Sequence, residues 1–108
     1  MSTGTRASRV LRGISALDRF HGQQWVWAVS LPSLDVEQPT RCVVGQLADC
    51  VDLADYRGAL ERLGIEEGPA EIDAGFYART FAEENTLNRL WSFAIRRLRE
   101  QRPQGVAA

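Results

Sequence analysis

The chain has no lysine: all thirteen of its basic residues are arginine. With thirteen alanines and nine glycines, also encoded by GC-rich codons, this bias points to a high-GC bacterium or one of its phages. Long apolar runs are missing too. The longest, Trp25-Val26-Trp27-Ala28-Val29, falls far short of the ~18 residues of a membrane span. No apolar stretch follows Met1–Arg6, so no secretory signal is visible and a cytoplasmic location is the expectation, the host cytoplasm if phage encoded. A net charge of -1 argues against a general polyanion binder.

Cysteine and histidine are scarce. His21 is the only histidine, so a Cys/His zinc site with Cys42 and Cys50 would need carboxylates to complete it. If one helix carries both cysteines, eight residues set them about 12 Å apart along its axis. A disulfide needs Cα atoms within about 7 Å, so both read as small buried hydrophobes. An interchain disulfide or a reactive thiol is the alternative. No Ser/His/Asp set, phosphate loop or calcium loop can be assembled, and Val44-Gly45-Gln46 is not a phosphate cradle. Asp49, Asp52 and Asp55 are three residues apart, but helix N-terminal duty accounts for two of them. The expectation is a non-enzyme with no catalytic residue, metal or cofactor.

What is present suits one domain. A chain of 108 residues with 44% hydrophobic content, three tryptophans and four phenylalanines can bury a core without a disulfide or metal. Residues 1–7 and 103–108 read as flexible termini. Ser8 reads as the cap of a first helix ending at Gly22. Its apolar stripe is Val10, Leu11, Ile14, Leu17 and His21, with arginines 9, 12 and 19 opposite. Residues 24–30 suit either a short buried strand or a helical turn. Leu31 and Leu34 anchor an irregular loop around Pro32.

Thr40 caps a second helix with Val43, Val44, Leu47 and Val51 inward. Gly45 within it implies a closely packed neighbour. Asp52 caps a third, whose buried face is Leu53, Tyr56, Ala59, Leu60 and Leu63. Gly64-Ile65 fits a Schellman ending. Residues 66–79 form a connector pinned by Ile72, Phe76 and Tyr77. Thr80-Phe81-Ala82-Glu83 reads as a capping box opening a helix of roughly 30 Å that runs to about Arg102. Its core face is Leu87, Leu90, Trp91, Ala94, Ile95 and Leu98. The expected architecture is a single all-α bundle of about four helices.

Charge is segregated. Residues 42–76 carry eight acids against Arg57 and Arg62, and residues 77–108 carry six arginines against three acids. Arg89, Arg96, Arg97, Arg99 and Arg102 crowd the last helix; the spacing of Arg89, Arg96 and Arg99 suits one stripe, with Arg97 and Arg102 further round. Either they solvate its outer face and suit its C-terminus, or they form a stripe for an acidic partner or nucleic acid. Phe93 falls off the core stripe and is either a second core contact or an exposed anchor. The candidate partner-binding set is Arg89, Arg96, Arg97, Arg99 and Phe93. A helix-turn-helix spanning residues 46–63 places Asp55 and Glu61 on its recognition helix, a poor match to phosphates.

Arg41-Cys42-Val43-Val44-Gly45-Gln46-Leu47, followed by Asp55-Tyr56 and Leu63-Gly64-Ile65, resembles a group of short uncharacterised actinobacterial and actinophage (mycobacteriophage-like) proteins. Gly75-Phe76-Tyr77-Ala78 and Leu87-Asn88-Arg89-Leu90-Trp91 extend the resemblance over roughly residues 10–102. Ala48-Asp49-Cys50 departs from it, where that group has Gly and an aromatic. The resemblance implies origin more than activity. The resulting expectation is a phage or prophage accessory protein that binds a host or phage macromolecule. A homodimer through Trp91, Phe93 and Leu98 is compatible, and DNA binding through the arginine-rich helix is the alternative.

Overall fold

The structure is a computed structural model that describes residues 5–105. Five α-helices are joined by turns: α1 (Arg6–His21), α2 (Val43–Leu47), α3 (Leu53–Arg62), α4 (Pro69–Asp73) and α5 (Phe81–Gln101). Two short 3₁₀ helices, Gln23–Trp27 and Leu31–Ser33, follow α1. No strand occurs among the described residues, so the chain is all-α.

The tryptophan segment is therefore a 3₁₀ helix and not a strand. A lone strand here would have no partner, whereas the turn satisfies its own backbone through Trp25 N–H to Gly22 O and Ala28 N–H to Trp25 O. Trp25, Val26 and Val29 are buried, and Leu31 and Leu34 pack on the core as expected.

Helix α1 begins earlier than its sequence suggests. Thr5 is the cap, its hydroxyl accepting from Ser8 N–H at 3.1 Å, while Ser8 spends its own hydroxyl on Thr5 O. Thr5–Ala7 thus belong to the fold, and residues 1–4 lie outside the described part. The inward face differs too. Leu11 and His21 are exposed, and Arg9, expected in water, is buried. Glu83 explains the exchange, since its carboxylate meets Arg9 at 3.1 Å, Arg79 at 3.2 Å and Arg6 at 3.6 Å. Hydrogen bonds from the Arg79 guanidinium and backbone N–H and from Arg9 hold the Glu83 carboxyl down at about 2, against its burial.

That engagement also alters the cap of α5. Thr80 Oγ1 accepts Glu83 N–H as a capping box requires, but Glu83 reaches back to Arg79 N–H, one residue beyond the cap. The box is half formed because Glu83 is drawn into the arginine cluster.

Helices α1 and α5 run parallel. Arg9 and Glu83 join their N-terminal parts, and Asp18 and Arg102 join their C-terminal ends in a two-pronged pair at 2.8 and 2.9 Å. They approach closely at Gly13. A Cβ there would collide with Ala74 O and stand 2.9 Å from the Trp91 ring. Trp91 is central: it stacks on Phe76 at 5.6 Å, meets Trp25 edge-on at 6.4 Å and donates to Gly75 O at 2.8 Å.

Helix α2 is only five residues long and is capped by Cys42, not Thr40; the Cys42 thiol accepts Gly45 N–H at 3.3 Å. Both cysteines are buried and free, but they flank α2 instead of sharing one helix, so the axial-rise argument does not apply. Gly45 does have a close neighbour, the Pro39 carbonyl. Val51 lies past the end of α2 and is 79% exposed.

Helix α3 is capped by Asp52 and closes as a full Schellman motif. Ile65 N–H bonds Leu60 O, Gly64 N–H bonds Glu61 O, and Gly64 sits at φ 77°. Leu53 departs from the expected buried face and is exposed. The connector contains α4, whose Gly68 N–H is held by Glu71 Oε1 at 3.2 Å. Phe76 is buried there, Ile72 is partly buried, and Tyr77 faces water. The tail does not fray at once. Pro103 O and Gly105 N–H bond the Gln24 amide, so 103–105 are tied down, and 106–108 lie outside the described residues.

Candidate functional site

The expected stripe of Arg89, Arg96 and Arg99, with Arg97 and Arg102 further round, is not the division that α5 makes. Positions 89, 93, 96 and 97 recur at i, i+4, i+7 and i+8, which places Arg89, Phe93, Arg96 and Arg97 on one face. Arg99 falls outside that set. The structure follows this division. Arg99 donates to Val26 O at 2.7 Å and Val29 O at 2.5 Å, with its guanidinium 5.2 Å from the Trp27 ring centre. Arg102 is spent on Asp18 and Gln23 O. Both clamp the 3₁₀ segment onto α5, so Arg99 leaves the candidate binding set.

Arg89, Arg96 and Arg97 are exposed and make no hydrogen bond or ion pair among the described residues. Phe93 stands between them, 64% exposed. On one side of its ring is a shallow depression lined by Asn88, Arg89, Ser92 and Arg96. On the other is a groove of about 350 Å³ between α1 and α5. Val10, Leu11 and Ile14 line it from α1; Leu90, Ala94 and Leu98 line it from α5, with Arg97 at its margin. Leu11 is as exposed as Phe93. The walls are almost wholly apolar, and the surrounding unpaired charge is mainly positive. Glu100 is the one acid sharing the outer face of α5.

The groove lies between the neighbouring parallel helices α1 and α5, which approach closely at Gly13 and Trp91. Sequence periodicity set Phe93 off the core stripe, but it grouped Arg99 with Arg89 and Arg96, left Arg97 further round and placed Leu11 in the core stripe; the structure turns Arg99 inward and puts Arg97 and Leu11 at the groove. The signal for Leu11 was its position beside Val10, at the edge of the stripe. Trp91, expected at a dimer axis, is fully buried and cannot serve there; Leu98 remains half-buried at the groove.

Other depressions carry less. A larger one, about 790 Å³, is an open shelf beside α3 whose lining includes the Arg57–Glu67 ion pair at 3.3 Å. A smaller one near Tyr56 contains Glu71, whose carboxylate is occupied by the Tyr56 hydroxyl at 2.5 Å and by Gly68 N–H. Burial and that bond raise the Tyr56 pKa.

His21 lies at the exposed end of α1 with its ring edge-on to Phe20 at 4.8 Å, and partial burial lowers its pKa. Burial pushes the Cys42 thiol up to about 11 and raises Cys50 as well. Asp52 caps α3 and Asp55 accepts Val51 N–H, so two of the three spaced aspartates have the helix-terminal duty expected of them. Among the described residues no group of three His, Cys, Asp or Glu side chains is placed to hold a metal ion. No described helix is long and apolar enough to cross a membrane. No family model, curated protein or solved structure matches the chain.

Proposed function

We propose that this chain is a non-enzymatic binding module that takes a protein partner in the groove between α1 and α5. The observation that carries this reading is the pairing of Leu11 and Phe93, both largely exposed, across an apolar groove beside three unpaired guanidiniums. An apolar centre with a charged rim is the anatomy of a protein interface, and aromatic and arginine side chains are its common anchors. Codon bias and the resemblance to actinophage proteins support a phage or prophage accessory protein acting in the host cytoplasm. The nucleic-acid alternative is weaker, since two of its five arginines are used within the fold.

The test is affinity capture from an actinobacterial lysate by the tagged full chain and by Phe93→Asp, each with and without nuclease. The expected result is a discrete protein that survives nuclease and is lost with Phe93→Asp. Recovery that collapses with nuclease transfers the function to nucleic acid and to Arg89, Arg96 and Arg97.

A further inference from the structure

The acidic half of the molecule bears a feature that matches the groove in charge and polarity. The link between α2 and α3 presents Val51, 79% exposed, and Leu53, 47% exposed, on either side of Asp52. Asp49, Asp52 and Asp55 lie within four positions of both. Asp52 and Asp55 accept only backbone N–H bonds, from Asp55 and Val51, and Asp49 has no partner among the described residues. None of the three forms an ion pair there. Two cations are nearby: Arg41 lines the same depression as Asp49 and Val51, with its Nε bonded to Ser33 O, and Arg62 acts on Cys50 alongside the same three aspartates.

Two exposed aliphatic side chains, on separate depressions either side of Asp52, and three carboxylates without ion pairs thus share the α2–α3 link and the first turn of α3. An apolar groove beside three unpaired guanidiniums stands elsewhere on the surface. The two patches share no residue, and the groove belongs to α1 and α5 while the acidic knob belongs to the α2–α3 link.

We propose that the partner of the groove is a second copy of this chain, which inserts Val51 and Leu53 beside Phe93 and sets Asp49, Asp52 and Asp55 against Arg89, Arg96 and Arg97. The inference rests on the reading of the groove as a docking site. Charge selects this arrangement over a two-fold dimer of grooves. Groove against groove would bring the same arginines together with only Glu100 to offset them. Knob into groove is a heterologous contact, so each bound copy still presents a free knob and a free groove. Association therefore continues head to tail into a ring or an open chain, and it weakens with salt because the paired charges lie at the rim.

The test is sedimentation velocity of the purified full chain over a concentration series at low and high salt, with Val51→Asp and Phe93→Asp alone and mixed. Both positions are exposed, so both variants should fold, and circular dichroism checks this. Leu53→Asp and Leu11→Asp replace either one that does not fold. The wild type is expected to grow beyond the monomer with concentration, and to bind about tenfold more weakly at high salt. Each variant alone is expected to be monomeric. Mixed in equal amounts they should form a dimer of one of each and nothing larger, because only one intact knob and one intact groove remain.

A wild type that stays monomeric throughout, a mixture that stays monomeric, or a Val51→Asp protein that associates like wild type overturns the proposal. If it falls while Phe93-dependent capture of another protein persists, the docking role of the groove stands with a different occupant. If that capture is also indifferent to Phe93→Asp, both readings fall.

Discussion

Leu11 of α1 and Phe93 of α5 line one groove from neighbouring parallel helices, and each leaves 64% of its surface in water. Covering both gains roughly 2–4 kcal/mol of apolar burial. Association itself costs more than about 4 kcal/mol, so this pair alone cannot hold a partner. The rest of the groove and the three arginines must contribute, which is why charge at the rim matters to the proposed docking.

Arg99 and Arg97 are two residues apart and should behave differently. Arg99→Ala removes both guanidinium bonds that hold the Trp25–Val29 segment and is expected to destabilise the fold by about 1–3 kcal/mol. Arg97→Ala should change stability by no more than about 0.5 kcal/mol. Urea unfolding of both variants checks the division. Equal losses would contradict the separation of a structural arginine from a surface one.

Glu83 is the buried hinge of an arginine cluster. Glu83→Gln removes the carboxylate that Arg9, only 5% exposed, meets at 3.1 Å and is expected to cost about 3–5 kcal/mol. The pH dependence has a definite sign. The folded carboxyl is held at about 2 against an ordinary 4.5, so its stabilising contribution is fully present above 4.5 and drains away as pH falls toward 2. Denaturation midpoints from pH 7 to pH 2.5 should show that loss in the wild type and a smaller one in Glu83→Gln.

Gly13 and Gly58 provide a matched pair. Alanine is the better helix former by about 1 kcal/mol, so Gly58→Ala, with open space around the added methyl, should stabilise by roughly 0.5–1 kcal/mol. Gly13→Ala meets Ala74 O and the Trp91 ring and should destabilise by about 1–3 kcal/mol despite the same propensity gain. Thermal melts with the same sign for both would refute the close approach of α1 to Trp91.

These residues also mark what a sequence can reveal. The Schellman closure at Gly64-Ile65 and the core stripe of α5 were legible because each depends on residues within one or two turns. The burial of Arg9 was not, since the carboxylate that permits it lies 74 positions away. The start of α1 was misplaced because Thr5 and Ser8 are equally good caps, and only the fold assigns them different bonds. Helix α4 was missed because five residues give no periodicity, although Pro69 at its first position and Glu71 at its third were the signals present. The groove needed the knowledge that the first and last helices lie side by side and parallel. From sequence, only Phe93 stood out of place.

Cys42 and Cys50 are expected to be poor nucleophiles. With the Cys42 thiol pushed up to about 11 and both side chains buried, alkylation at pH 8 should be slow in the native state and rapid in denaturant. Mass spectrometry of iodoacetamide-treated protein reads this directly. Native labelling as fast as that of free cysteine would show that α2 does not shield them.

The most direct test of the groove places a photocrosslinking phenylalanine analogue at position 93, at position 11 and, as a control, at Phe20, which is also exposed but lies outside the groove. Irradiation in actinobacterial cells should give a discrete protein adduct from positions 93 and 11 and none from position 20. The size of the adduct distinguishes a second copy from another protein. Adducts of the same kind from all three positions, or none from 93 and 11, would contradict the assignment of this groove as the binding site.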